Sequence, residues 1–158
     1  MGAGKSTLGK VVAERLGWRY FDNDEEMSIR YGFSHDELAS MPVSELHALE
    51  SRYLADVLSE SAPLITGAAA SVVDYPENQA LLQKVTTIYL RIPLAAVISR
   101  AGTHGIGRQA ILEGGESILR ERFERRDPLY KMVSTATLEL TDSQSNDTER
   151  LLQLINES

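Results

Sequence analysis

Met1-Gly2-Ala3-Gly4-Lys5-Ser6-Thr7 opens the chain, and LGKVVAERLG (residues 8–17) follows without a break. The first stretch is the C-terminal part of the phosphate-binding pattern G-x-x-x-x-G-K-[ST]. Each residue type answers a need of the chemistry. Glycines let backbone N–H groups turn toward phosphate oxygens, and Lys5 has the reach and charge for the β and γ phosphates. The Ser6 hydroxyl suits Mg2+, and Thr7 completes the motif. Leu8, Val11, Val12 and Leu16 then recur at helical spacing, which predicts a helix over residues 6–16 with Gly17 as its stop. Such a helix aims the positive end of its dipole at the same anion. Gly2, Ala3, Gly4, Lys5, Ser6 and Thr7 are therefore candidate nucleotide-binding residues, with Lys5 also catalytic and Ser6 also a metal ligand. A glycine-rich helix start arising by chance is the alternative, and the amphipathic run directly behind the loop argues against it.

In the full pattern the first Gly lies two positions before Met1, and the strand that aims the loop lies ahead of that. The expectation is a functional chain that extends upstream, with this N-terminal strand absent from the sequence as written. A strand truly lost is the alternative, and it would leave an apolar gap on the order of several kcal/mol, the scale of large-to-small core changes.

The whole chain has 158 residues, with 16 Lys+Arg against 23 Asp+Glu and a net charge of -7. At roughly 100–200 residues per domain, this length predicts a single domain over residues 1–158. Hydrophobic residues at 42% and charged residues at 25% exclude a disordered or collagen-like chain. The acidic balance argues against general nucleic-acid binding, whose footprint is a basic face. No apolar run approaches the roughly 20 residues that span a bilayer, and the N-terminus reads as a phosphate loop rather than a secretory signal. The absence of cysteine excludes disulfides, zinc-thiolate sites and cysteine catalysis. A cytoplasmic monomer that binds a small molecule, with no nucleic-acid or membrane partner, is the expectation.

Short apolar runs alternate with longer amphipathic ones. Strands are predicted at residues 19–21, 64–66, 86–90 and 136–140. Helices are predicted at 25–31, 43–59, 78–84, 93–100, 115–133 and 148–155, with Gly32 closing the first and Ser34 capping a further turn. Residues 102–107 hold three glycines and read as a loop. Strands separated by such helices indicate βαβ units, that is, an α/β fold with a parallel sheet flanked by helices. Trp18 and Tyr20 flank a strand start and read as core. His35, His47 and His104 lack metal-ligand spacing, and no Ser-His-Asp set is suggested. ERFERR (residues 121–126) is a charge run whose plain reading is a solvated helix face.

With the phosphate loop and Asp22-x-Asp24 at the end of the next strand, the chain resembles the shikimate kinase family of small P-loop kinases. MGAGKSTLGKVVAERLGWRYFDND (residues 1–24) carries the strongest likeness. It continues through ITGAAASVVDYPEN (65–78), residues 88–100 and Arg126-Asp127-Pro128-Leu129-Tyr130, and so covers nearly the whole chain. The resemblance implies a nucleoside-monophosphate-kinase-like three-layer α/β/α fold with a five-stranded parallel sheet. Substrate-binding helices would fall at about residues 24–60 and a lid at about residues 101–114. The implied reaction moves the γ-phosphoryl group of ATP to the shikimate 3-hydroxyl, with Mg2+. Asp22 would assist the metal through water, and Asp24 would hold the acceptor hydroxyl and act as its base. Arg126 would grip the shikimate carboxylate, the lid residue Arg108 would touch the transferring phosphate, and Arg100 would stack on adenine. The plain alternatives are a turn or helix cap for each aspartate and a solvated surface charge for Arg108 and Arg100.

The chain departs from the family pattern at the acceptor. Where the family has Phe-Arg ahead of a Glu, this chain has Leu46-His47 ahead of Glu50, so a bidentate carboxylate clamp is replaced by one imidazole. The family's three glycines become Ala68, Ala69 and Ala70, or Gly67, Ala68 and Ala69 in a slipped register. Methyl groups there crowd the acceptor ring or force another backbone path. His47, Ala68, Ala69, Ala70, Asp24 and Arg126 are the candidate acceptor-binding residues. A kinase for another small hydroxylated metabolite and a non-catalytic nucleotide-binding paralogue remain alternatives on these residues.

Overall fold

A computed structural model describes residues 4–104 and 115–157, with backbone alone at residues 100–104. Residues 6–81 form one compact unit, and residues 1–5 with 82–158 form a second.

In the first unit, helix α1 (Lys5–Leu16) leads to strand β1 (Arg19–Phe21). Helices α2 (Asn23–Tyr31), α3 (His35–Ser40) and α4 (Val43–Leu58) follow, and then strand β2 (Leu64–Thr66). β1 and β2 pair in parallel, Arg19 with Leu64 and Phe21 with Thr66. Parallel neighbours need a long crossover, and α2 to α4 supply it. A hydrogen bond from Gly67 N–H to the Phe21 carbonyl, at 3.2 Å, carries the pairing one residue past β2. Met27, Leu38, Tyr53 and Val57 form the core beneath the crossover, with Phe21, Leu46, Leu49 and Leu64 packed against it. The Tyr53 hydroxyl meets the Thr66 hydroxyl at 2.8 Å, which ties α4 to the end of β2. A short 3-10 turn (Val72–Asp74) and α5 (Pro76–Leu82) close the unit.

In the second unit, β3 (Ile88–Arg91) pairs in parallel with β4 (Ala136–Glu139). Helices α6 (Leu94–His104) and α7 (Glu116–Val133) stand between them in the chain, and α8 (Gln144–Asn156) follows β4. Leu138 at the centre of β4 is 1% exposed, and Val133 and Leu151 are also buried. Among the described residues the four strands thus form two parallel pairs, and no strand precedes α1.

Several boundaries differ from the sequence reading, each for a local reason. α2 starts at Asn23 because Asp22 caps it, accepting a hydrogen bond from Asp24 N–H at 3.1 Å. α5 spans Pro76–Leu82 rather than 78–84, with Pro76 at the first helical position. β3 starts at Ile88 rather than residue 86, since the Thr87 hydroxyl is turned back onto the Leu82 carbonyl at 2.7 Å. α8 starts at Gln144, not residue 148; Ser143 caps it, and its polar first turn hid the helical period. α6 runs to His104, so residues 102–104 are helical and not loop; a glycine inside a helix costs only about 1 kcal/mol. The rest of that predicted loop, residues 105–107, lies outside the described residues.

Candidate active site

The turn into α1 is set by Gly4, whose φ of 70° is left-handed. An added Cβ would meet nothing within 4 Å, so backbone conformation and not space demands glycine there. Lys5 is the first residue of α1, and Ser6 and Thr7 are exposed at its start. The other predicted loop residues, Gly2 and Ala3, lie outside the described residues.

Ser6 meets the end of β1. Its hydroxyl lies on the side of the Asp22 carboxylate and the Tyr20 hydroxyl, where it favours the charged form of each. Tyr20 in turn donates to Asp22 Oδ2 at 3.3 Å, while Asp22 Oδ1 takes the Asp24 N–H. One carboxylate therefore caps α2 with one oxygen and takes the Tyr20 hydroxyl on the other. Burial pushes the Asp22 carboxyl up. The hydrogen bonds from Ser6, the Asp24 and Glu25 amides and Tyr20 outweigh it and hold the group below its usual value. Burial pushes the Tyr20 phenol up to about 12, with help from the Asp22 charge. Tyr20, read from sequence as core, is half-buried with its polar tip in this cluster. The sequence signal that points to it is the spacing: Tyr20 lies two residues before Asp22, on the same side of an extended strand.

Asp24 is exposed at the head of α2, and Asn23 Nδ2 donates to its Oδ1 at 3.0 Å. Asn23 is itself buried, and its Oδ1 has no hydrogen-bond partner among the described residues.

On α4, His47 Nδ1 lies 3.0 Å from the Tyr75 hydroxyl, with the two rings edge to face at 6.0 Å. One imidazole nitrogen is thus engaged by Tyr75. Ser51 donates to the His47 carbonyl at 2.9 Å and receives Asn78 Nδ2 at 2.8 Å, which fixes this turn of α4. The Ser71 hydroxyl donates to Glu50 in a short hydrogen bond. Ala68, Ala69 and Ala70 run between β2 and Ser71, all half-buried. The structure thereby brings His47 and the alanine segment into one unit with Ser6, Asp22 and Asp24.

Arg126 belongs to the other unit, half-buried on α7. Its neighbour Asp127 is the hub of a network. Asp127 accepts from Tyr89 at 3.1 Å, Arg91 Nε at 2.6 Å and Lys131 at 2.7 Å. Arg91 also reaches Glu139 at 2.8 Å, and Tyr89 packs on Tyr130 with centroids 4.8 Å apart. Burial pushes the Asp127 carboxyl up, but the Lys131, Arg91 and Tyr89 hydrogen bonds hold it below the usual value. Burial, then Asp127, pushes the Tyr89 phenol up. The Asp127 and Glu139 carboxylates push Arg91 further up. Sequence reading passed over Arg91 and Tyr89, which become visible only once β3 and α7 are placed side by side. The Arg100 side chain and all of Arg108 lie outside the described residues.

Among the described residues no three His, Cys, Asp or Glu side chains gather into a metal cage. Mg2+ seldom needs one, since it is held by one or two protein oxygens plus substrate phosphates and waters. A phosphate-loop hydroxyl, Ser6, and the Asp22 carboxylate are hard-oxygen donors of the kind this ion takes.

Parallel strand pairs with helical crossovers and a phosphate loop that turns into a helix define a phosphate-loop nucleotide-binding protein. The family model for shikimate kinase matches residues 1–156. The chain is 32% identical over 130 residues to the bifunctional shikimate kinase/3-dehydroquinate synthase of Thermotoga maritima, covering 82% of this chain and 26% of that protein. It is 31% identical over 144 residues to the shikimate kinase of Neisseria meningitidis serogroup C, with 88% of this chain and 82% of that one covered. The solved shikimate kinase from Acinetobacter baumannii, in complex with shikimate, superposes with a TM-score of 0.83 at 28% identity, covering 99% of this chain and 89% of that chain. The chain belongs to the shikimate kinase family.

Proposed function

We propose that this chain transfers the γ-phosphoryl group of ATP to the 3-hydroxyl of shikimate. The observation that carries the reading is the left-handed turn at Gly4 that places Lys5 at the head of α1, in a chain matched over residues 1–156 by the shikimate kinase family model. Lys5 and the amides at the start of α1 would hold the β and γ phosphates. Ser6, and Asp22 through water, would hold Mg2+, which neutralises phosphate charge when bound. Asp24 would orient the acceptor hydroxyl and take its proton as the new P–O bond forms. The bridging P–O bond to the β phosphate breaks, and ADP leaves with its electron pair. Arg126 and His47 would hold the acceptor carboxylate, Ala68 to Ala70 would line its ring, and Arg100 and Arg108 would serve the nucleotide and the transferring phosphate. Phosphoryl transfer of this kind is chiefly positioning and charge neutralisation, which this set of residues supplies.

Residues 1–158 would act as one kinase domain, with the acceptor helices near 24–60 and the lid near 101–114. The chain would act as a cytoplasmic monomer on a small molecule, without nucleic-acid or membrane partners; the net charge of -7 argues against general nucleic-acid binding.

The test is ADP release from Mg-ATP with and without shikimate, on a sample first shown to be folded by circular dichroism. Shikimate-dependent release is expected, and Lys5→Ala should abolish it while leaving the circular dichroism spectrum intact. Release that ignores shikimate, or full turnover by Lys5→Ala, would overturn the reading.

A further inference from the structure

We infer that Tyr20 is a positioning residue for the metal-facing pair of Ser6 and Asp22, acting through its phenolic hydroxyl. The inference rests on the metal assignment of that pair made above. Geometry places the hydroxyl at the end of β1. It donates to Asp22 Oδ2 at 3.3 Å, and it lies 3.7 Å from the point where a Cβ would stand on Gly67.

The ring that carries this hydroxyl is held by α1. A Cβ built on Gly9 would stand 2.5 Å from Tyr20 Cε2 and 3.3 Å from Cδ2 and Cζ. The ring edge therefore lies against bare helix backbone, and Gly9 is the absence of side chain that lets it do so. Lys10 Nζ stands 6.0 Å from the ring centroid, on the next residue of α1. The strand places the hydroxyl, the helix places the serine, and the ring packed on Gly9 fixes one against the other.

The consequence follows from hydrogen-bond chemistry. Without the hydroxyl, Asp22 Oδ2 loses that donor and the carboxylate is free to turn about its Oδ1 contact. With Tyr20 in place, Asp22 is held at both oxygens, Oδ2 by the phenolic hydroxyl and Oδ1 by the Asp24 N–H. Its orientation is then set before the ion arrives. Preorganisation of this kind raises affinity by lowering the cost of ordering the ligands.

The experiment is calorimetric titration of ADP, in EDTA and at a series of Mg2+ concentrations, on the full chain and on Tyr20→Phe. Tyr20→Phe keeps the ring and its packing on Gly9 while removing the hydroxyl. The Mg2+-dependent part of ADP affinity should weaken about three- to tenfold, the scale of one intramolecular hydrogen bond, with affinity in EDTA unchanged. A purely structural role would move both affinities together. Gly9→Ala, which displaces the ring, should cost Mg2+-dependent affinity in the Tyr20 protein and add little in the Tyr20→Phe protein. Equal Mg2+ dependence in the Tyr20→Phe and unmodified chains overturns the inference. Ser6→Ala and Asp22→Asn separate the two levels. If they remove the Mg2+ dependence and Tyr20→Phe does not, only the role of Tyr20 falls. If they leave it intact, the metal assignment itself falls, and the inference with it.

Discussion

His47 commits one ring nitrogen to Tyr75, and in the proposed reading that contact limits what it can give an acceptor carboxylate. An imidazole so engaged presents one further nitrogen. A guanidinium presents five donors in a fixed fork, two of which match a carboxylate. His47→Arg should therefore tighten shikimate binding by about 1.5–3 kcal/mol, the contribution of a hydrogen bond to a charged group, read as a fall in the shikimate KM with kcat little changed. An unchanged KM would place position 47 away from the carboxylate. The sequence shows histidine at position 47, where the family resemblance implies an arginine. The partnership with Tyr75, 28 residues away, is not legible there, because nothing in local spacing brings α4 to the turn before α5.

Helix α7 shows how an element is aimed. Arg126 sits beside Asp127, and Asp127 pins the helix to β3 through Tyr89 and Arg91 and to its own next turn through Lys131. Asp127 is titratable, so this anchor depends on pH. Its folded pKa is depressed, so in acid the unfolded chain, with an ordinary Asp value near about 3.9, binds more protons than the folded one. The stabilisation is complete above that ordinary value and is lost as pH falls through the folded one. Asp127→Asn should cost about 1.5–3 kcal/mol at pH 7, measured by urea unfolding, and the gap to the unmodified protein should close in acid below about pH 4. A gap that persists undiminished in acid would mean that charge is not what holds the helix. ERFERR was correctly read as a helical charge run, yet its register against β3 depends on a strand more than 25 residues earlier in the chain.

Ligand binding links the site to the stability of the molecule as a whole. Anything that binds the folded chain and not the unfolded one raises its stability, by about 2.7 kcal/mol at a hundredfold excess over Kd. Mg-ADP should accordingly raise the thermal midpoint, and EDTA should take back the part that depends on the Ser6 and Asp22 oxygens. Calorimetry of Ser6→Ala should show ADP stabilisation that no longer responds to EDTA. An EDTA effect of full size in that variant would place the metal elsewhere.

The sequence by itself determined the phosphate loop, the α/β alternation, the parallel strand pairing and the two aspartates behind β1. All of these are written in local terms: glycine and lysine at fixed spacing, and apolar residues with period 3.6 or in short runs. Strands β1 and β2 were legible to the residue because each is a short run of β-forming side chains between turn signals. The tertiary structure alone decided which side chains meet. Tyr20 looks like core because a tyrosine buries mostly hydrocarbon, and only the placement of β1 against Gly9 turns its hydroxyl toward Asp22. A hydrogen bond between distant segments leaves no period and no spacing in the chain, so the hydroxyl cluster, the His47–Tyr75 contact and the Asp127 anchor had to wait for the fold.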